Sequence, residues 1–258
     1  MGRIRFYVNR EKPQAEEWRL RLEAETARLG LDRCGDLVIA LGGDGTILRA
    51  VHEFPDIPVL GLNLGGLGYL SAVGERDFFA ALRLLAEGRY SISERTMLTA
   101  NGRFVALNDI VISRELSGHS ALLELTADGR AVTTYMADGL IFATPTGSTA
   151  YSLAAGGPVV MPDSQGVVVT PINPHALAVR PLVVRDDVEF AVTARPRNAG
   201  NSIRIGVSAD GESVLSLEVG ETLVVRRSEK TAKLVELEGC DPYGVLARKL
   251  GWSGTNVR

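Results

Sequence analysis

Over residues 4–88 the apolar positions alternate between short continuous runs and stripes at helical spacing. Residues 4–8, 37–41 and 58–62 form runs too short for helices. The middle run, Leu37-Val38-Ile39-Ala40-Leu41, is apolar throughout, as a parallel strand buried on both faces requires. Between the first two runs, Pro13 opens a segment whose Ala15, Trp18, Leu22 and Leu29 fall on one helical face and which Gly30 ends. Residues 47–54 and 77–86 repeat the helical pattern, the latter beginning at Asp77 as cap and closed by Gly88. This order predicts a Rossmann-like open α/β sheet with its ligand site at the C-terminal ends of the strands.

From about Tyr90 the texture changes. Residues 104–107, 110–112, 121–125, 167–170 and 203–207 read as strands, separated by turn signals that include Asp128-Gly129 and Asp210-Gly211. This half is expected to be a β-rich, β-sandwich-like C-terminal domain with a helix start only at residues 148–155; residues 241–250 again look helical. The expected division is an α/β domain at 1–92, a β-rich dinucleotide-binding domain at 93–235 and a C-terminal segment at 236–258. No repeat, low-complexity stretch or Ser/Gly-rich linker separates the halves, so close contact is expected, with the cleft between them as the natural site.

Composition narrows the function classes. Of 258 residues, 45% are hydrophobic and 23% charged, as in a soluble globular protein. No apolar run approaches the roughly 18 residues of a membrane span, and no signal-peptide core is visible, so a cytoplasmic protein without a membrane partner is expected. The net charge of −3 argues against nucleic acid as a partner. Cys34 and Cys240 read as free thiols, and His52, His119 and His175 are scattered, so no residues are assigned as metal ligands. No Gly-Lys pair exists, which excludes a P-loop.

Against that background two runs carry chemistry. Gly42-Gly43-Asp44-Gly45-Thr46 follows the buried strand and leads into a helix, a geometry that lets backbone amides approach phosphate. Thr46 is expected to cap that helix, leaving amides outward and Asp44 as a lone carboxylate beside an anion site. The role suggested for Asp44 is to orient and deprotonate an attacking hydroxyl, or to join a metal–phosphate site. Arg49, five residues on, suits a ligand phosphate or simply an exposed helix position. Gly65-Gly66-Leu67-Gly68 forms a second glycine turn, expected to line the same crevice. Asn108-Asp109 reads as a turn or as a reader of a base edge or ribose hydroxyls, and the residues alone favour the turn. The run Thr144-Pro145-Thr146-Gly147-Ser148-Thr149-Ala150-Tyr151 holds more hydroxyls than one helix cap needs; they suit phosphate or ribose, and Tyr151 suits stacking on a base. Asp210-Gly211-Glu212 is most simply a hairpin turn, and His175 a structural hydrogen-bonder.

Taken together with Asn63, Asp138-Gly139, Ala155-Gly156-Gly157-Pro158, Pro174-His175-Ala176-Leu177 and Arg180-Pro181-Leu182, these motifs closely resemble the NAD kinase family, in the family's order over almost the whole chain. The glycine–aspartate turn alone is shared with diacylglycerol and sphingosine kinases; the 144–151 run is more specific. The resemblance implies an enzyme that transfers the ATP γ-phosphoryl group to the 2′-hydroxyl of the adenosine ribose of NAD, with Asp44 as proton acceptor. It implies that Asn108, Asp109, Asp138, Thr149, Ala150, Tyr151, Ser152, Leu153 and Ala154 hold the dinucleotide, and that Gly45, Arg49, His119, Met136, Asn173 and Glu212 line the pocket. It further implies Mg²⁺ or Mn²⁺ with ATP, a homo-oligomer (dimer or tetramer) and a C-terminal helix returning to the first domain. Asp109 stands where the family usually has Glu, Glu212 where Gln is usual, Met136 at an often polar position and Ala154 at a frequent Ser. The alternatives are another kinase of the diacylglycerol/sphingosine kinase-like superfamily and a non-catalytic sensor of NAD or NADP.

Overall fold

The structure is a computed structural model that describes residues 3–31, 36–66, 68–71, 73–115, 121–195 and 204–252. The chain forms two compact units, one comprising residues up to Glu94 together with those from Ala232, the other Arg95–Thr231.

In the first unit, β1 (Ile4–Val8), β2 (Leu37–Gly42) and β3 (Val59–Asn63) pair in parallel. β4 (Val73–Gly74) adds to β3, and Leu234, near the end of β16 (Thr222–Leu237), pairs with Val59. β2 and β3 are buried at every position, which explains their unbroken apolar runs. The first helix, α1 (Gln14–Leu29), carries Glu16 and Glu17 in its first turn and Arg28 in its last, matching the helix dipole. Gly30 ends it at φ 67°, a left-handed cap that a Cβ would strain. The Trp18 ring of α1 meets Phe78 of α3 (Phe78–Ala86) edge-on at 5.0 Å. That contact joins the two helices over a core that includes Ile39, Leu41, Leu60 and Leu62. The second helix, α2 (Asp44–Glu53), packs on β2 and β3, and α5 (Pro242–Lys249) lies in the unit's C-terminal segment.

The second unit is a β-sandwich. One sheet has the order β12 (Leu182–Arg185), β11 (Gly166–Ile172), β10 (Gly139–Ala143), β7 (Asp109–Arg114), β14 (Ile205–Ala209), β15 (Glu212–Leu217), with every neighbouring pair antiparallel. The other contains β16, β13 (Phe190–Arg195), β8 (Ala121–Ala127) and β9 (Arg130–Ala137) in that order, and β5 (Tyr90–Ala100) pairs with β6 (Phe104–Ala106). The inner faces share one core, in which Phe142 of β10 lies 5.1 Å from Phe190 of β13. Asp128 and Gly129 take φ 48° and 73° in the β8–β9 turn, as the Asp-Gly signal predicts. The expected strand at 203–207 begins at Ile205 among the described residues. A short 3-10 turn, Thr146–Thr149, and α4 (Tyr151–Ala154) replace the single helix start expected at 148–155.

Candidate functional site

In the first unit, register brings the two glycine turns together. Gly42 and Asn63 are partners at the ends of β2 and β3, so both turns leave from adjacent strand ends. Helix α2 begins at Asp44 with Gly43 as its cap residue, and no side chain caps it. The expected cap, Thr46, is instead buried inside the first turn, where its side chain fills the space a Cβ on Gly42 would need. Asp44 is not a lone carboxylate either. It accepts hydrogen bonds from the amides of Tyr69 at 2.8 Å and Leu70 at 3.2 Å and from the Ser71 hydroxyl at 3.2 Å. Asn63 supports this turn by donating to the Gly66 carbonyl at 2.7 Å and to Ser71 Oγ at 2.8 Å. The Lys12 ammonium donates to the Leu64 carbonyl. A Cβ on Gly68 would overlap the Asp44 carboxylate, so glycine is required there. Burial, and then the Asp44 charge, raises the Tyr69 phenol above its usual range. Gly45 and Arg49 are exposed. Arg49 lines a cavity of about 700 Å³ with Tyr7, Arg10, Glu53 and Phe54.

In the second unit, the Asn108 turn and the hydroxyl run interlock. The Thr144 hydroxyl donates to the Leu107 carbonyl at 2.6 Å and accepts from the Gly147 amide at 3.0 Å, while the Thr144 amide donates to the Asn108 carbonyl at 2.9 Å. Gly147 lies against the Asn108 backbone with no room for a Cβ. Ser148 Oγ donates to the Pro145 carbonyl at 2.7 Å and accepts from the Val160 amide at 2.9 Å; Ser152 Oγ meets Thr170 Oγ1 at 2.8 Å. The surplus of hydroxyls therefore has a largely structural explanation: Thr144, Ser148 and Ser152 are buried and used within the fold. Of the expected ligand segment, Thr149, Ala150 and Leu153 are half-buried, and Tyr151 and Ala154 are exposed.

Asp109, the first residue of β7, is only 5% exposed. Burial, and secondarily the charge of Asp210, pushes its carboxyl up to about 7. The sequence marks Asp210 only as a turn residue, yet its carboxylate accepts the amides of Leu107 at 2.8 Å, Asn108 at 2.7 Å and Asp109 at 3.2 Å. The one sequence signal for this role is the Asp itself, where Asn would serve a two-residue turn equally well. Glu212 is exposed at the start of β15, just beyond that turn.

Asp138 lies at the other end of the β7–β10 pair. Asp109 is opposite Ala143, and Ser113 is opposite Gly139, which separates the two ends by roughly 13 Å at the usual rise per residue. The Asp138 carboxylate pairs with Arg114 at 2.9 Å and accepts from the Asn173 side chain at 3.1 Å. Asn173 takes φ 45°, and the carbonyl of Met136 accepts the His175 amide at 2.9 Å. Met136, Asp138 and Asn173 thus come together, whereas His119 lies outside the described residues.

Residues 7–90 match the ATP-NAD kinase N-terminal domain and residues 107–237 the ATP-NAD kinase C-terminal domain. The chain is 40% identical to the NAD kinase of Symbiobacterium thermophilum over an alignment 289 positions long, gaps included, covering 99% of this chain and all of that protein (100%). It is 38% identical to the NAD kinase of Syntrophotalea carbinolica over 227 residues, 84% of this chain and 78% of that one. Among solved structures, an NAD kinase from Archaeoglobus fulgidus in complex with ATP aligns with a TM-score of 0.78 at 25% identity, covering 97% of this chain and 98% of that chain. Yeast NADH kinase complexed with NADH aligns with a TM-score of 0.78 at 30% identity, covering 87% of this chain and 69% of that chain. With both family domains matched in order, and the glycine–aspartate turn and the interlocked 107–109 and 144–152 segments in place, the chain belongs to the NAD kinase family.

Proposed function

We propose that this phosphotransferase makes NADP by transferring the γ-phosphoryl group of ATP to the 2′-hydroxyl of the adenosine ribose of NAD, with Asp44 as proton acceptor. The hydroxyl oxygen forms the new bond to the γ-phosphorus. The bond from that phosphorus to the β–γ bridging oxygen breaks, ADP leaves with the electron pair, and the hydroxyl proton passes to Asp44. Phosphoryl transfer depends chiefly on positioning and charge stabilisation. The observation that carries the reading is the hold on Asp44: three donors fix its carboxylate, out of about four lone-pair sites, leaving room for a substrate hydroxyl.

In this reading Asn108 and Asp109 hold one part of the dinucleotide and Asp138, with Met136 and Asn173 beside it, another. The roughly 13 Å between those strand ends suits an extended ligand. Thr149, Ala150, Tyr151, Leu153 and Ala154 supply backbone and surface, while Ser152 anchors its helix rather than the ligand. Gly45, Arg49, His119 and Glu212 complete the proposed set. Among the described residues no group of three or more His, Cys, Asp or Glu side chains forms a metal site. Mg²⁺ or Mn²⁺ would arrive on the ATP phosphates, where it would neutralise charge on the transferred group. A cytoplasmic homo-oligomer, dimer or tetramer, completes the proposal; light scattering on the purified chain measures its mass. No described helix is long and apolar enough to cross a membrane.

The test is NADP formation from NAD, ATP and Mg²⁺, with Asp44→Asn as the control. Turnover is expected to fall by about 10²-fold or more in the variant, with NAD binding retained. Wild-type turnover in Asp44→Asn would remove the proton-acceptor role. A folded wild type that binds NAD but makes no NADP from ATP would shift the donor assignment to inorganic polyphosphate.

A further inference from the structure

We infer that Asp210 is a positioning residue for dinucleotide binding, its carboxylate holding Asn108 and Asp109 in their binding arrangement. Three successive amides, those of Leu107, Asn108 and Asp109, converge on this one side chain, with Leu107 on Oδ2 and the other two on Oδ1. Such a run of amides forms a concave nest for an anion, and here the chain supplies the anion itself. The contact is reciprocal, because the Asp210 amide donates to the Asp109 carbonyl at 3.0 Å.

A hairpin turn alone does not explain this residue. Asp210 and Gly211 take φ 49° and 84°, left-handed positions that Asn-Gly satisfies as well as Asp-Gly. Asparagine would keep the turn but present an NH₂ group to at least one of the three amides. Only a carboxylate accepts from all of them. Two carbonyls of the same segment are also held, Leu107 by the Thr144 hydroxyl and Asn108 by the Thr144 amide. With its amides and two of its carbonyls bound, the segment is fixed in the conformation that sets the side chains of Asn108 and Asp109.

The inference rests on the proposed assignment of Asn108 and Asp109 to the dinucleotide. The experiment compares Asp210→Asn and Asp210→Gly, both compatible with a left-handed turn, with Asn108→Ala. Each is measured for kcat, for KM toward NAD and ATP separately, for thermal unfolding, and for amide exchange across residues 105–111. Both Asp210 variants are expected to speed exchange at residues 107–109 and raise KM for NAD roughly tenfold or more. KM for ATP is expected to stay within about twofold. Faster exchange with an unchanged KM for NAD would overturn the positioning role. Equal rises in both KM values with a lowered unfolding midpoint would overturn it too, by showing general loosening. If Asn108→Ala raises KM for NAD and the Asp210 variants do not, the Asp210 inference fails alone. If none of the three raises it, the assignment of the turn to the dinucleotide fails and the inference falls with it.

Discussion

The buried carboxyl of Asp109 ties the stability of the fold to pH. Its folded value of about 7 lies above the roughly 3.9 of an unfolded aspartate. Between these values the folded state keeps a proton that the unfolded chain has released. The stabilising contribution is complete below about pH 4 and is lost as pH rises through about 7. Replacing Asp109 with Asn removes this dependence. The variant's stability relative to wild type should therefore grow from about pH 4 to about pH 7, by on the order of 2–4 kcal/mol, and then level off. Urea unfolding at several pH values measures the difference, and a pH-independent difference would refute the coupling. Gly68→Ala is a second test at this scale. The added Cβ meets the Asp44 carboxylate, so kcat should fall at least about tenfold while KM for NAD changes little. A wild-type kcat would show that the turn yields without moving Asp44. Sequence marks Asp44 and Gly68 as members of glycine turns, but their contact spans distant positions and depends on strands pairing.

The elements are legible in the sequence to different degrees. Helix α1 announces both ends, through Pro13 and Gly30, because proline and glycine act on the local backbone. The continuous apolar run of β2 likewise points to a buried parallel strand. The start of α2 is misleading: Thr46 has the chemistry of a cap, but the turn begins earlier, at Gly43, and packing takes the threonine inward. The hydroxyl run reads as ligand-facing for a similar reason, since composition does not reveal which hydroxyls find partners inside the fold. Helix α4 spans only four residues, too few to be stable alone, so its place depends on anchors such as Ser152 to Thr170. A double-mutant cycle with Ser152→Ala and Thr170→Val should give a coupling of about 1 kcal/mol in thermal or urea unfolding. Additive effects would show that the bond does not anchor α4.

At the scale of the whole molecule, the C-terminal residues belong with the N-terminal unit. Leu234 pairs with Val59, Val235 joins the first core, Glu238 bonds to Arg89 at 2.8 Å, and the Lys249 ammonium lies 5.1 Å from the Tyr69 ring centre. A chain ending at Thr231 should therefore lose the native fold of the first unit while the second retains strand signal. Circular dichroism and limited proteolysis would detect this, and an intact first unit would refute the dependence. The sequence by itself determined the α/β and β-rich halves, the ends of α1 and the family, because these follow from local periodicity, backbone restrictions and contiguous motifs. Only the tertiary structure decided that Asp44 is gripped by the second glycine turn, that Asp210 fills the amide nest of residues 107–109, and that buried hydroxyls serve the fold. Those facts rest on hydrogen bonds between residues far apart in sequence, whose partners are chosen by strand register and burial rather than by the residues on either side.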